Sequence, residues 1–354
     1  MQTKFLLFFI LLLSSACRDP LPSFDPADYQ LAQLELAISF PPVEDESDRE
    51  FSSEKLAELN VSKIRFAEEW AFREAAKGDF NWGPLDRRLQ WAEQTGLEVM
   101  LTVQSNGPDW ACGEQNERSC IYLDDQDFAN YITALLQRYP NQLDRIQFGN
   151  EWQSDFWYIG TAEEFVSANN ILYQAVQAHS PQTTVVLGGF TSISLRAMAA
   201  CAGKLVDFYD DEGNLYDQAT LDSICPSSEV QQVLDRINYV LQNAQYDEVD
   251  LHLYDDPENW DEVLTHFRTL NTSPLIVSEF GGPNLELEDD SESYQAERVE
   301  YYIRKLDSLR VPHAYFFKLV EGSNNPVHAS SGLFTRLSRR PKDSHEIFRR
   351  FSNP

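Results

Sequence analysis

Two glutamates in this chain stand at the ends of short apolar runs. Glu151 follows RIQFG (145–149) and an asparagine, Asn150, and Glu279 lies at the end of LIVSEF (275–280). Arg65 lies within KIRFA (63–67), and His252 and Tyr254 end VDLHLY (249–254). A carboxylate at the end of a buried run needs a partner, because burying an unpaired charge is costly. Two carboxyls facing one opening can divide an acid–base task, provided their surroundings push their pKa values apart. One, protonated, delivers a proton to a leaving oxygen. The other, ionised, attacks carbon. Glycosidic bond cleavage needs such a pair, and a separation of about 5–5.5 Å makes the second carboxylate a nucleophile with retention of configuration. Arg65 is suited to keep Glu279 ionised through charge and a hydrogen bond, and the Tyr254 phenol to bond the same carboxylate. Asn150 offers an amide to the hydroxyl beside the reacting carbon, where hydrogen bonds strengthen in the transition state.

These residues work together only if the fold brings their runs to one place. Eight apolar runs recur, at 34–39, 63–67, 97–103, 145–149, 184–190, 249–254, 275–280 and 313–320. Each is short, rich in β-branched or aromatic residues, and continuous rather than alternating, which predicts strands buried on both faces of a parallel sheet. Helical segments separate them, at 52–59, 85–94, 127–139, 161–179, 230–243, 258–270, 293–309 and 343–351. Thr161 with Glu164 reads as a capping box, and Asp256-Pro257 as a capping side chain before a proline at the first helical position. Eight strands alternating with eight helices predict an α/β fold, a single (β/α)8 barrel over 31–354. An open doubly wound sheet is the alternative. It would carry a glycine-rich turn after the first strand, and SFPPVEDESDREF there contains no glycine.

In such a barrel the active site lies at the C-terminal ends of the strands. The set there is Arg65 on strand two, Asn150-Glu151 on four, His252 and Tyr254 on six, and Glu279 on seven. It resembles the retaining (β/α)8 enzymes of glycoside hydrolase clan A, and within them most nearly family 5. The resemblance covers about residues 31–351. It implies Glu151 as acid/base, Glu279 as nucleophile, and Arg65, Asn150, His252 and Tyr254 as substrate-site residues. GLFTRLSRRPK (332–342) also looks like the family's run from the eighth loop into the last helix. Two places depart from the pattern. Gln104, Ser105 and Asn106 stand where a histidine is usual, and Phe317-Lys318 where a tryptophan floors the reacting sugar.

Sugar rings stack on indoles, so the tryptophans that follow strand ends, Trp70, Trp110, Trp152 and Trp157, are candidate sugar contacts, whereas Trp91 lies within a helix and reads as core. Asn106, Trp110, Trp152 and Lys318 join the expected substrate-binding set. Lys318 would suit an anionic sugar, or would pair with Glu321 or point into the barrel. A carbohydrate is the expected partner, with no cofactor and no metal, the chain acting as a monomer. Two other classes compete. A non-catalytic carbohydrate-binding barrel has no need of two facing carboxylates. A metal-dependent barrel hydrolase wants clustered histidines, and the six here are scattered.

The chain carries a net charge of -29 over 354 residues, which argues against nucleic acid and against electrostatic docking on anionic lipid. Near the N-terminus, Lys4 precedes an apolar stretch at 5–13, too short to span a bilayer, which needs about 20 residues, and suited to a secretory signal. Ser14-Ser15-Ala16-Cys17 resembles a bacterial lipobox, with serine at 14 where leucine is usual. Residues 1–17 are therefore expected to be a lipoprotein-type signal, with Cys17 lipidated and 18–30, containing Pro20, Pro22 and Pro26, a tether holding the protein in the cell envelope. Ordinary cleavage and secretion is the alternative. The remaining Cys112, Cys120, Cys201 and Cys225 form an even set, which in an exported protein implies disulfides. Three pairings are possible. Short loops close most readily, so Cys112–Cys120 and Cys201–Cys225 are expected, in loops spanning 104–126 and 191–228.

Overall fold

The computed structural model describes residues 29–210, 214–254, 257–282, 291–323 and 328–353. Eight parallel strands close into a barrel, each pairing with the next in sequence and the last with the first. They are β1 (Glu35–Ser39), β2 (Lys63–Glu68), β3 (Glu98–Val103), β4 (Arg145–Phe148), β5 (Thr184–Phe190), β6 (Glu248–Leu253), β7 (Leu275–Phe280) and β8 (His313–Phe317). Two small antiparallel ribbons, Cys112–Gln115 with Cys120–Tyr122 and Phe208–Tyr209 with Leu215–Tyr216, decorate the loops after β3 and β5.

The helices among the described residues are α1 (Glu46–Glu58), α2 (Gly83–Thr95), α3 (Asp125–Arg138), α4 (Ala162–His179), α5 (Ser192–Cys201), α6 (Gln218–Ile224), α7 (Ser228–Asn243), α8 (Trp260–Leu270), α9 (Glu292–Ser308) and α10 (Asp343–Ser352). The expected capping box opens α4: Glu164 N–H donates to the Thr161 hydroxyl, and the Thr161 N–H donates to the Glu164 carboxylate. Helix α1 begins six residues earlier than the pattern indicated, because the Asp45 side chain caps an acidic first turn that carries no apolar stripe to announce it. The segment expected as a loop at 191–228 instead holds α5 and α6. Helix α5 is rich in small residues and α6 is only 7 residues long, so neither presents a clear helical period. Asp256 lies outside the described residues, and Pro257 opens a single 3-10 turn before α8.

Outward-facing strand residues such as Ile64, Leu101, Phe148, Leu187, Leu251 and Val277 pack under the helices and form the main core. Inward-facing residues fill the barrel in layers, as expected where alternate strands contribute to each. Ala37, Met100, Val186 and Ile276, with Tyr315, make a separate buried apolar layer. Nearer the C-terminal ends the inward side chains turn polar: Ser39, Arg65, Thr102, Gln147, Asp250 and Ser278, all fully buried.

Both expected disulfides are present, with Cα–Cα distances of 5.6 Å for Cys112–Cys120 and 5.3 Å for Cys201–Cys225. The first closes the ribbon after β3, and the second ties the end of α5 to the end of α6. Cys17, the signal segment and the tether up to residue 28 lie outside the described residues.

Candidate active site

The polar layer supports the site from below. Thr102 donates to the Gln147 amide oxygen at 2.8 Å, and the Gln147 amide donates to Asp250 at 2.7 Å. Asp250 also accepts from the Ser278 hydroxyl at 2.5 Å and its backbone N–H at 2.7 Å. The links join β3 to β4 and β6 to β7, and the Gln147–Asp250 bond reaches across the barrel interior from β4 to β6, so the network ties these strands together where β7 delivers Glu279.

Arg65 rests on this layer, fully buried. Its Nε donates to Thr102 at 2.9 Å, Nη1 to Glu279 at 2.5 Å, and Nη2 to Gln147 at 3.2 Å and Asn150 at 2.9 Å. The Tyr254 hydroxyl donates to the other oxygen of Glu279 at 2.6 Å. Burial alone would raise the Glu279 pKa. The charges of His252 and Arg65, with hydrogen bonds from Tyr254 and Arg65, outweigh it and bring the carboxyl down to about 2. Burial and the Glu279 charge push the Tyr254 phenol well above its ordinary range, so it stays a donor.

Glu151 arrives by a different route. The chain leaves β4 through left-handed backbone at Gly149 (φ 70°) and again at Glu151 (φ 45°). A Cβ on Gly149 would meet the Phe165 ring at 3.0 Å, so the position needs glycine for space as well as conformation. Glu151 Oε1 accepts from His252 Nδ1 at 2.7 Å. The other ring nitrogen of His252 lies 3.4 Å from Asp250 and 3.7 Å from Glu279. Burial would lower the His252 pKa, but the charges of Glu279 and Asp250 outweigh it and raise it to about 10, which makes the ring an imidazolium shared by three carboxylates. The ring fits because β5 passes it at Gly189, where a Cβ would collide with His252 Nε2.

One donor atom each of Glu151, His252 and Glu279 lies within 4.8 Å of the others. That is a conceivable metal-ligand triad, but His252 Nδ1 lies 2.7 Å from Glu151 Oε1 and bonds to it directly, which leaves no room for an ion between them. The cluster is better described as two carboxylates and a cation at one mouth.

The mouth opens into a cleft of about 920 Å³ lined by Glu279, Asn150, Glu151 and Tyr254, with Phe40, Phe317, Phe156 and Trp157 as its aromatic walls. Arg118, Lys318, Glu69 and Glu117 add charge to its rim. A second hollow of about 480 Å³ adjoins it on the side of β5 and α7, sharing Glu151, Trp157 and Tyr254.

The structure therefore brings Arg65, Asn150, Glu151, His252, Tyr254 and Glu279 together. Two of these do not reach a bound molecule: Arg65 and His252 are fully buried, so they hold the carboxylates rather than contact substrate, contrary to the expected assignment. Three tryptophans are also corrected. Trp152 is fully buried, stacked on Phe165, with its indole N–H given to Gly188. Trp110 packs edge-on against Trp70 and donates to the Glu74 carbonyl. Trp70 is likewise buried, stacked on Tyr131. Position after a strand end does not fix which way an indole turns, and of the four only Trp157 lines the cleft. Asn106 lines it too, with its amide donated to Glu69 at 2.6 Å. Lys318 reaches the cleft wall and donates to the Gly322 carbonyl at 2.7 Å, while Glu321 pairs with Lys342 instead.

Sequence reasoning missed Phe40, Phe317 and Phe156 as cleft aromatics, and the layer of Thr102, Gln147, Asp250 and Ser278. The one available signal for the layer was polar residues inside otherwise apolar strands.

No family model matches the chain, and no curated protein matches it in sequence. Solved structures do. An exo-β-1,4-mannosidase from Opitutaceae bacterium strain TAV5 is 15% identical with a TM-score of 0.61, over 90% of this chain and 59% of the mannosidase. A family 39 glycoside hydrolase from Bacteroides cellulosilyticus WH2 is also 15% identical, with a TM-score of 0.61, over 94% of this chain and 65% of that one. Xylanase B from Clostridium stercorarium F9 is 17% identical with a TM-score of 0.58, over 92% and 99%. The chain thus spans about three fifths of the mannosidase, and nearly all of the xylanase. At these identities the likeness is one of fold: this chain has the barrel found in those glycoside hydrolases.

Proposed function

We propose that this chain is a retaining glycoside hydrolase that cleaves β-linked sugars by double displacement. The observation that carries the reading is the facing pair of Glu151 and Glu279, whose nearest carboxylate oxygens lie within 4.8 Å over one cleft. Oxygens that close match carboxyl groups about 5–5.5 Å apart, the spacing at which the second attacks directly instead of activating a water. Two other observations support it. The two carboxyls have unlike surroundings, and the sugar-sized cleft is walled by aromatic rings. The glycoside hydrolases that share the fold add support of the same kind.

In the proposed reaction Glu279, held ionised by Arg65, His252 and Tyr254, attacks the anomeric carbon. Glu151 gives its proton to the departing oxygen from Oε2, since Oε1 is occupied by His252. A water then takes the place of the leaving group, gives its proton to Glu151 and releases the sugar from Glu279. Asn150 Oδ1 accepts from Arg65, which leaves its amide N–H groups for the hydroxyl next to the reacting carbon.

The test is a panel of 4-nitrophenyl β-glycosides, followed by proton NMR of the anomeric product as it forms. The first-formed sugar should have the β configuration. An α first product, or hydrolysis of none of the β-glucoside, β-mannoside, β-galactoside and β-xyloside, overturns the reading.

The same proposal extends to location. Residues 1–17 are read as a lipoprotein signal, with Cys17 acylated and the barrel tethered in the cell envelope. Labelled fatty acid should enter the wild-type protein and not Cys17→Ala.

A further inference from the structure

We propose that the leaving group of the natural substrate is apolar, an alkyl or aryl aglycone, and that the hollow beside Glu151 receives it. This rests on the glycosidase reading above. The two cavities share Glu151 as a common wall, but only the larger is lined by Glu279 and Asn150. The sugar ring must touch the nucleophile, so it belongs in the larger cleft. The acid must reach the oxygen between sugar and leaving group, so the leaving group lies on the far side of Glu151, in the smaller hollow.

That hollow is poorly made for a second sugar. Its outer wall is aliphatic: Ile193 and Ala197 from α5, and Val230, Val233 and Leu234 from α7. Val233 is exposed, an uncovered apolar side chain on an acidic protein. Several of the polar side chains that line it are engaged within the protein. Gln153 donates to the Gly189 carbonyl and accepts from Thr191 N–H. The Thr191 hydroxyl donates to Ser194. Ser192 donates to the His252 carbonyl and accepts from Tyr254 N–H. Ser154 accepts from Phe156 N–H. Besides Glu151, the lining of this hollow includes Glu229 and His328. Sugar hydroxyls set against the aliphatic wall would lose water and gain few partners, whereas methylenes would lose only water. The Cys201–Cys225 bridge joins α5 to the segment that leads into α7, so the two helices that form the wall are tied together.

The experiment uses the sugar that the nitrophenyl panel shows to be cleaved, presented as its methyl, butyl and octyl β-glycosides and as the β-linked disaccharide. The expected result is that kcat/KM rises with chain length, by up to roughly fourfold per methylene until the hollow is filled, and that the octyl glycoside exceeds the disaccharide. In Leu234→Asn and Val230→Ser the octyl-to-methyl ratio should fall toward one. A flat series, or a disaccharide turned over faster than the octyl glycoside, overturns the proposal while leaving the glycosidase reading intact. If no nitrophenyl glycoside is cleaved, the glycosidase reading fails by itself, and the hollow is tested by binding alone. Calorimetry with 1-octanol should then show saturable binding to the wild type and at least roughly tenfold weaker binding to Leu234→Asn. Equal binding by both, or none by the wild type, sinks the apolar site.

Discussion

The two ends of this barrel are built from similar materials and put them to different uses. At the N-terminal end, Lys63 pairs with Glu98 and lies 3.7 Å from Glu35, and His313 lies 3.2 Å from Glu35. Arg145 pairs with Glu248 at 2.7 Å and with its neighbour Asp144. Each carboxylate there lies against a lysine, arginine or histidine of its own or a nearby strand. At the C-terminal end, Arg65 and the imidazolium of His252 serve three carboxylates, Glu151, Glu279 and Asp250, and two of the three look into an open cleft. Between the two lies the apolar layer of Ala37, Met100, Val186 and Ile276. Both sets hold more carboxylates than cations, so what separates them is where they face. One closes the base of the barrel, and the other opens on a cleft where its carboxylates can meet a substrate. If that contrast is right, mutations at the two ends should differ in kind as well as in size.

The largest expected effect falls on the open end. Glu279→Ala and Glu151→Ala should each lower kcat by roughly 10³-fold or more, since they remove the covalent and the proton-transfer steps respectively. Azide separates them. With Glu151→Ala and a nitrophenyl substrate it should intercept the glycosyl-enzyme and give a β-glycosyl azide, whereas with Glu279→Gly it should enter the emptied nucleophile site and give the inverted product. Swapped products would reverse the two assignments, and full activity in both variants would move the site elsewhere.

A smaller loss should come from a residue that never touches substrate. Gly189→Ala places a methyl against the His252 ring, which has nowhere to go because it is fully buried. The ring must shift, and with it the bond to Glu151. We expect kcat to fall by roughly 10- to 100-fold with KM little changed, because positioning errors of an ångström have that cost. Unaltered kcat in a folded Gly189→Ala protein would show that the His252 contact is packing only.

How much of this was readable beforehand follows the same division. The strands were legible because parallel strands buried on both faces read as continuous apolar runs, and the residues that end them carried Glu151, Glu279, Arg65 and Tyr254 to one mouth. The buried layer of Thr102, Gln147, Asp250 and Ser278 was not, since a lone polar residue in a strand has no meaning until the register sets it beside the next one. The tryptophans misled because chemistry suggested a role that orientation denies, and the aromatic walls proved to be phenylalanines. The apolar hollow was hidden for another reason: α7 was expected, but α5, the other half of the wall, lies in a segment that read as loop because it is short and rich in small residues.

The pH dependence of stability sharpens the contrast. The folded His252 titrates near 10 against an ordinary 6.5, so its contribution is complete below about pH 6.5 and is lost as pH rises through 10. Glu279 is depressed to about 2 from 4.5, so its contribution is complete above about pH 4.5 and is lost only as pH falls toward 2. The difference in thermal midpoint between wild type and His252→Gln should therefore be greatest between about pH 4.5 and 6.5 and shrink steadily up to about pH 10. A difference that is constant over that range would mean that the ring is neutral in the folded protein.

The smallest effect on turnover, and the one that most directly tests the comparison, belongs at the closed end. Arg145 is buried at the base of β4, where it bridges Glu248 and Asp144. Arg145→Met keeps much of the side-chain volume and removes the charge, leaving Glu248 without its main partner. Glu248 keeps some contact with water, its side chain being 15% exposed, so the cost should lie between those of a surface pair and a fully buried one, about 1–3 kcal/mol. A chemical denaturation midpoint would register that loss. The apolar layer stands between this position and Glu279, and no hydrogen bond among the described residues links Arg145 to the Arg65–Asp250 network. Turnover by the folded variant should therefore match the wild type. A drop in kcat comparable with that of Gly189→Ala would mean that the two ends are coupled through the barrel wall, and that the closed end belongs to the catalytic apparatus after all.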